Sequence, residues 1–173
     1  CDVYDVGWPS GDFTKVLAFV DQFSRGVLCI PLEATHTSED IADSIIYVLM
    51  RFYGKPIAIR SDRGSVLISE VIAQLYSKHT IRMEDGTAYH HATAGVVERF
   101  FGVLRHMLLT HRAASKDDQW HLYLPLLEMA YNDTVNDTTG LAPFFVNHLR
   151  HSDLALDVEM YESGSISDII VAL

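Results

Sequence analysis

The stretch KVLAFVDQFSRGVLCIPL, residues 15–32, contains two short runs that are rich in β-branched and aromatic residues. The first run covers residues 15–22 and the second covers residues 26–32, and only Phe-Ser-Arg separates them. Two such runs with so short a connection predict a β-hairpin. The preceding segment CDVYDV, residues 1–6, predicts one more strand on the amino-terminal side of the hairpin.

Helical and extended patterns alternate after the hairpin. Residues 35–54 have apolar side chains at helical spacing, begin with Ser and Thr residues that suit a helix cap, and end at Gly54. The other predicted elements are a buried strand over 56–62, a helix over 69–79, an extended piece over 80–84 and helices over 94–113 and 118–133. This order predicts an α/β fold in which helices cover a mixed sheet.

Length and composition indicate one folded domain. The chain has 173 residues, of which 49% are hydrophobic, enough to bury a full core. Its two cysteines, Cys1 and Cys29, provide neither a disulfide framework nor a Cys-x-x-Cys metal pair. No signal peptide or bilayer-spanning apolar run is visible, so we expect a soluble, intracellular protein. Because the sequence starts with Cys1 and stops at IIVAL, it looks cut from a longer polypeptide.

The net charge of −10 is distributed unevenly along the chain. Residues 1–112 contain 13 acidic and 11 basic side chains, whereas residues 113–173 contain 10 acidic and 2 basic ones. The first two thirds are therefore close to neutral and could bind nucleic acid locally but weakly, since phosphate contacts supply most of the affinity.

Three carboxylates could converge to form a metal site. Asp62 ends a predicted strand and Glu98 opens a predicted helix. The third is either Asp2 or Asp5 of the first strand, because alternation places these two on opposite faces and only one of them can face the site. Carboxylates are preferred ligands of Mg²⁺, and two such ions can catalyse phosphoryl transfer. On spacing alone, an ordinary structural role is the more frequent explanation for acids at these positions.

Four motifs favour a functional role for these carboxylates, because they occur in the same order as in a known family. VDQFSRGVLCIPL (20–32), GKPIAIRSDRGSVLIS (54–69), YHHATAGVVERFFGVLRHML (89–108) and W…LPLLEMAYN…TGLAPF (120–144) occur as in the integrase catalytic cores of retroviruses and gypsy-type retrotransposons. The resemblance covers roughly residues 1–150. It implies a ribonuclease H-like fold with a mixed central sheet of about five strands flanked by helices. Residues 151–173 would form an acidic linker or the start of another module.

The resemblance also implies the catalytic residues. Asp62 matches the family's second catalytic Asp and Glu98 its catalytic Glu. Asp2 matches the first Asp better than Asp5, because its separation of 19 positions from Asp21 is similar to the family's spacing. Asp2 would bridge two Mg²⁺ or Mn²⁺ ions, and Asp62 and Glu98 would each hold one.

The implied reaction is the trimming of element DNA 3′ ends and their joining to target DNA. DNA would be the partner, with Arg105 as the best candidate for a phosphate contact, followed by Arg99, Arg63 and His90. The family usually acts as a homo-oligomer, without a membrane or an organic cofactor, in the nucleus or in a cytoplasmic retroelement particle. The chain would be part of a retroelement polyprotein.

The segment DGTAYHHATAG, residues 85–95, resembles the family's flexible active-site loop, with Gly86 and Gly95 as hinges. In this interpretation Glu98 lies at the start of the next helix. His91 stands where the family usually has Pro. A zinc site at His90 and His91 is disfavoured, because adjacent residues rarely supply a tetrahedral site and no Cys pair completes it.

Two alternatives to an active integrase remain open. One is a domesticated or inactive core that binds nucleic acid or protein, and the other is a ribonuclease H-like nuclease that cleaves without joining. Because Asp2 lies next to the chain end, where residues fray, we expect this fragment to be poorly active. Apolar residues of the late helices should pack in the core or at a subunit interface: Phe100, Leu104, Met107, Leu108, Trp120, Tyr131 and Pro143.

Overall fold

A computed structural model describes residues 1–61, 69–85, 91–115 and 118–152. Its strands are β1 (Asp2–Ser10), β2 (Phe13–Val20), β3 (Val27–Glu33), β4 (Ala58–Ser61) and β5 (Arg82–Asp85). Its helices are α1 (Ser38–Ser44), a π-helical segment (Ile45–Met50), α2 (Arg51–Tyr53), α3 (Glu70–His79), α4 (His91–Ser115), α5 (Trp120–Asp133) and α6 (Pro143–His148).

The first three strands form an antiparallel sheet in the order β1-β2-β3, which confirms the predicted hairpin. Asp2 pairs with Ala18 between β1 and β2, and Ala18 pairs with Cys29 between β2 and β3. The first strand runs past residue 6, and its register shifts between Asp5 and Ser10. Gly7 lies within this irregularity with φ of +88°, a conformation that favours glycine at a bulge.

The last two strands form a parallel pair in which Arg60 lies opposite Glu84. The backbone nitrogen of Cys1 donates a hydrogen bond to the Arg60 carbonyl oxygen over 2.6 Å. This contact joins β1 to β4 and places the strands in the spatial order β3-β2-β1-β4-β5. Antiparallel and parallel strands thus form the mixed arrangement that the sequence predicts.

The first predicted helix is a composite of three segments. Thr37 caps α1 through a capping box, because its hydroxyl accepts from the backbone of Asp40 while Asp40 accepts from the backbone of Thr37. The helix becomes a π-helix over Ile45–Met50 and ends at Gly54, which has φ of +80°. The caps match the sequence pattern, whereas the π-helical interior was not predicted.

The fourth helix corrects the predicted position of Glu98. We expected Glu98 to open this helix after a flexible loop, but α4 begins at His91, so Glu98 is its eighth residue. Gly95 lies inside the helix and therefore does not act as a loop hinge. Gly86 and His90 lie outside the described residues. The helical pattern that starts near residue 94 extends upstream because the small residues before Gly95 also tolerate a helix.

Helices pack on both faces of the strands. One core cluster joins β1–β3 to α4 and α5, and its members include Val6, Val16, Phe100, Leu104 and Trp120. The other joins the strands to α1 and α3, and its members include Leu17, Ile41, Ile45, Ile59 and Ile72. The core positions predicted on the late helices are confirmed: Phe100, Leu104, Met107, Leu108, Trp120 and Pro143 are buried, and Tyr131 is half-buried.

Cys1 and Cys29 form no disulfide. Within the described ranges, no helix is both long enough and apolar enough to cross a bilayer. The predicted linker over 151–173 lies almost entirely outside the described residues, so that boundary stays a prediction.

Side chains of α5 cover the outer edge of β3. Asn132 accepts a hydrogen bond from the Val27 backbone nitrogen (2.8 Å) and donates one to the Val27 carbonyl (2.9 Å). One turn earlier, Glu128 accepts from the Cys29 backbone nitrogen over 2.7 Å. These side chains bind backbone groups of Val27 and Cys29 that a neighbouring strand would otherwise bind.

Replacing Asn132 with Ala should destabilise the fold. The change removes both partners of the buried Val27 backbone groups, so the free energy of unfolding should fall by about 2–3 kcal/mol. Chemical denaturation measures this loss. Thr138→Ala, an exposed change shortly after the same helix, is the matched control and should shift the free energy of unfolding by less than about 0.5 kcal/mol. Equal stability of the two variants would contradict the role of Asn132.

Glu128 should make stability depend on pH. Burial raises its pKa from 4.5 to about 7, although the bond from the Cys29 backbone partly offsets this rise. The folded state therefore retains a proton that the unfolded state has released, and stability falls as pH rises from about 4.5 to about 7.

Glu128→Gln removes this titration and should be more stable than wild type at pH 8, by at most about 3 kcal/mol, with the advantage vanishing below pH 4.5. Urea unfolding at a series of pH values measures the difference. Asp137→Asn alters an exposed carboxylate nearby and serves as the control. A Glu128→Gln advantage that is the same at pH 4 and pH 8 would contradict the account.

Candidate functional site

A cleft of about 740 Å³ opens where β1, β2 and β4 approach the first half of α4. Its described lining carries both acidic and basic side chains: Asp2, Asp21, Glu84, Glu98, Arg60 and Arg82. Two of the three carboxylates predicted to be catalytic, Asp2 and Glu98, therefore line one cleft.

The alternation of side chains along β1 directs Asp2 towards α4. Cys1 and Val3 pack against the cluster on the α1 and α3 side, whereas Tyr4 and Val6 belong with the cluster on the α4 and α5 side. Since residues two apart share a face of a strand, Asp2 faces the same side as Tyr4. One Asp2 carboxylate oxygen also accepts a hydrogen bond from the Val3 backbone nitrogen over 2.8 Å.

An aromatic pair fixes α4 against this face of β1. The rings of Tyr4 and Phe101 stack with their centroids 5.1 Å apart. Tyr4 lies two residues after Asp2, and Phe101 lies three residues after Glu98, so this contact sets the part of α4 that carries Glu98 against the face of β1 that carries Asp2. Glu98 itself is exposed to solvent at the cleft. Its carboxylate is thus open to a ligand from solution.

Asp5, the alternative first carboxylate, has a different environment. It is exposed, lies outside the cleft lining, and accepts a hydrogen bond from the Gly7 backbone nitrogen over 2.9 Å. This bond supports the bulge in β1. The geometry groups Asp2, rather than Asp5, with Glu98.

Asp62, Arg63 and His90 lie outside the described residues. Ser61, which precedes Asp62 and ends β4, is buried and lines the cleft. The roles predicted for these three residues remain predictions.

Two of the predicted DNA contacts occupy different sides of α4. Burial raises the pKa of Tyr4, and the charge of Arg105 opposes this rise, which places exposed Arg105 near the β1 face that carries Asp2. Burial also raises the pKa of Tyr131 on α5, and the charge of Arg99 opposes that rise. Arg105 is therefore positioned near the cleft-facing side of β1, whereas Arg99 lies towards α5.

An ion pair in the cleft was not predicted from the sequence. The Arg60 guanidinium of β4 contacts the Glu84 carboxylate of β5, and both side chains are partly exposed. Their positions follow from the parallel register, in which these two residues are direct neighbours. The sequence places Arg60 two positions before Asp62, but its partner Glu84 can be identified only from the pairing of β4 with β5.

The cleft suits a hard divalent cation. Asp2 and Glu98 offer carboxylate oxygens, the ligands that Mg²⁺ prefers, and Mg²⁺ keeps several waters and so needs few protein ligands. Within the described part of the chain, no group of three or more His, Cys, Asp or Glu side chains is placed to hold a metal. Two of the three predicted metal ligands, Asp2 and Glu98, line the cleft, and the third, Asp62, lies outside the described residues.

Comparisons with known proteins agree with this architecture. A family model described as the integrase core domain matches residues 1–91. The transposon Tf2-3 and Tf2-4 polyproteins of Schizosaccharomyces pombe are each 22% identical to the chain over 151 residues, which cover 87% of it. The chain spans only 11% of the length of these polyproteins.

Solved structures show the same fold. A chain of the simian T-cell lymphotropic virus intasome in complex with PP2A regulatory subunit B56 gamma has a TM-score of 0.69 and 19% identity, covering 85% of this chain and 53% of that one. The HTLV-2 integrase catalytic core domain in complex with magnesium (trimeric form) has a TM-score of 0.67 and 19% identity, and the match covers 85% of this chain and 94% of that one.

The catalytic core domain of BIV integrase also has a TM-score of 0.67 and 19% identity, and the match covers 93% of this chain and 97% of that one. The fold is therefore the predicted ribonuclease H-like one. Because the family model matches more than half of the 173 residues, the chain belongs to the integrase core domain family.

Proposed function

We propose that this chain is the catalytic core of a DNA-integrating polynucleotidyl transferase carried by a retroelement polyprotein. It would trim the 3′ ends of element DNA and join them to target DNA. The observation that carries the proposal is the shared cleft of Asp2 and Glu98, which come from β1 and α4. Family membership and the Tf2 polyprotein relatives support DNA integration as the general role.

The residues of the cleft would hold divalent cations next to bound DNA. Asp2, which lies between β2 and β4, would hold these cations together with Glu98 and Asp62. When bound, such a pair supplies charge stabilisation for the attacking and leaving oxygens of phosphoryl transfer. No Ser or Cys nucleophile is required, because the reacting groups are water or a DNA 3′-hydroxyl.

The protein side chains would position the DNA strand against these carboxylates. Arg105 is exposed on the β1-facing side of α4 and could bind a backbone phosphate there. Arg112 lies seven residues after Arg105 on the same helix. Its guanidinium already pairs with the Asp118 carboxylate and lies over the Trp8 ring. Arg105 is therefore the better phosphate contact of the two.

The implied partners are DNA ends, target DNA and further copies of the chain. The structural neighbours include a chain from an intasome and a core domain solved in trimeric and dimeric forms. We propose the same kinds of partner here, with the reaction taking place in the nucleus or in a cytoplasmic retroelement particle. A nuclease that does not join DNA is the second candidate, because the same carboxylates can serve hydrolysis alone.

Strand transfer tests the proposal through Glu98. A pre-cut oligonucleotide duplex is incubated in Mn²⁺ or Mg²⁺ with a form of the chain extended ahead of Cys1, so that Asp2 does not lie next to the chain end, and joined products are resolved on a denaturing gel. Glu98→Gln keeps the size of the side chain but removes its charge, so joining should fall by at least about 100-fold. Glu84→Gln is the matched control, since it alters a carboxylate of the same cleft that pairs with Arg60, and it should retain most of the activity.

Cleavage without joining would favour the nuclease. A folded wild type that neither cleaves nor joins, in either metal, would contradict the enzymatic proposal and favour an inactive core that binds nucleic acid or protein. If Glu98→Gln and Glu84→Gln lost similar amounts of joining activity, negative charge anywhere in the cleft would matter, and a specific role for Glu98 would be contradicted.

A further inference from the structure

Two arginines lie beside Tyr131, where the turn between β2 and β3 meets α4 and α5. Arg99 directly follows Glu98 on α4 and is exposed to solvent. Arg25 lies in the β2–β3 turn and is half-buried. Tyr131 lies near the end of α5 and is also half-buried. The fold thus brings together two basic side chains that are far apart in sequence.

Contacts of the neighbouring residues fix this meeting point. Phe100, the residue after the arginine of α4, meets the Tyr131 ring edge-on with the ring centroids 5.0 Å apart. Asn132, the next residue of α5, binds the backbone nitrogen and carbonyl oxygen of Val27, just after the β2–β3 turn. The turn and α4 are therefore held at the same part of α5.

The charges of both arginines act on the Tyr131 hydroxyl. Burial raises the pKa of Tyr131, and the positive charges of Arg99 and Arg25 oppose this rise. Among the described residues, neither guanidinium forms an ion pair with a carboxylate. The Asp21 carboxylate of the same turn instead accepts hydrogen bonds from the backbone and hydroxyl of Ser24. Because like charges repel, two guanidinium groups near one point favour an anion between them.

The β2–β3 turn does not require an arginine for its own geometry. It is closed by backbone hydrogen bonds from the Asp21 nitrogen to the Gly26 carbonyl (2.8 Å) and from the Arg25 nitrogen to the Asp21 carbonyl (3.0 Å). Arg25 has φ of +65°, in the left-handed region that few residues other than glycine adopt readily. The side chain at this position therefore points to a role other than turn formation.

Both arginines border the cleft. Gly26 and Glu98, their sequence neighbours, line it together with Asn147 of α6. The Asn147 side chain packs closely against Gly26, since a Cβ atom there would lie 3.1 Å from its amide nitrogen. Arg105 lies on the β1-facing side of α4, whereas the pair beside Tyr131 lies on the α5 side. A DNA strand that passes Glu98 would thus meet basic side chains on both sides of that carboxylate.

We propose that Arg25 and Arg99 together bind one backbone phosphate of the DNA strand that passes Glu98, separate from the phosphate bound by Arg105. A guanidinium group can bind phosphate oxygens through two parallel hydrogen bonds, and the negative charge offsets the repulsion between the two arginines. The identity of the ligand rests on the proposed function, whereas the site itself rests on the packing of the turn, α4 and α5.

Fluorescence anisotropy of a labelled pre-cut duplex tests the proposal. Binding is measured without divalent metal at a series of salt concentrations. Arg99→Gln and Arg25→Gly should each weaken binding by about five- to tenfold. The double variant should lose less than the product of the two losses, because both side chains hold one phosphate. It should also lower the slope of log Kd against log salt by about one.

Lys78→Gln is the matched control. It removes one positive charge from an exposed position at the end of α3, which packs on the opposite face of the sheet from α4 and α5. Its effect on DNA affinity should stay below about twofold, since this charge lies far from the cleft-bordering pair.

Thermal unfolding separates loss of binding from loss of folding. Arg25→Gly relieves the left-handed strain of the turn, so its Tm should equal or exceed that of the wild type although it binds DNA less tightly. Arg25→Lys keeps the positive charge and should retain more affinity than Arg25→Gly. A lower Tm in both Arg25→Gly and Arg99→Gln would show a structural role and overturn the proposal.

Three binding results would also overturn it. One is a wild type without salt-dependent DNA binding, and another is a loss in the arginine variants no larger than that of Lys78→Gln. The third is a double variant with the full product of the single losses and a slope change of about two, because the arginines would then bind separate phosphates. Since binding is measured without metal, a wild type that binds DNA but fails to join it would contradict only the proposed function.

Discussion

The two-sided packing of β1 is the constraint on which the candidate site depends. Its side chains alternate between the two core clusters, so Tyr4 stacks on Phe101 while Val3 packs on the opposite side. A shift of one residue would turn Asp2 away from α4 and bring hydrophobic residues to the wrong faces. The register of a single strand therefore couples burial of the core to the position of a carboxylate.

The same strand is held at both of its edges. Antiparallel pairing fixes it to β2, and the bond from Cys1 to the Arg60 carbonyl fixes it to β4. At the far edge of the sheet, Asn132 and Glu128 close β3 with side-chain hydrogen bonds. The helices thus cover the faces of the sheet, and α5 also binds part of its edge. The candidate site lies where the three-stranded sheet meets the β4–β5 pair.

The sequence predicts those features that are local in the chain. The hairpin over 15–32 follows from two β-rich runs, and the cap at Thr37 follows from the Ser and Thr residues before an apolar helical pattern. The start of α4 was placed wrongly, because Gly95 and its small neighbours suggested a loop where the chain is helical. Element boundaries of this kind depend on tertiary packing, which outweighs local propensity.

Site prediction depended on the resemblance to integrase cores more than on spacing. The resemblance favoured Asp2 over Asp5 through its separation of 19 positions from Asp21. In the structure, Asp2 lines the cleft, and the alternation of Val3 and Tyr4 between the two clusters places it on the face towards α4. The Arg60–Glu84 pair could not be predicted, because it requires the parallel register of two strands that lie far apart in sequence. Pairings over such distances are set by the fold and leave no periodic signal.

We propose that Asp2 and Glu98 belong to one divalent-cation site. The direct test is a double-mutant cycle of Mn²⁺ binding, measured by calorimetry with wild type, Asp2→Asn, Glu98→Gln and the double variant. We predict that each single change weakens binding by at least about tenfold, and that the double variant loses less than the product of the two losses, because the residues act on one ion. Equal Mn²⁺ affinity of the wild type and the double variant would contradict the claim.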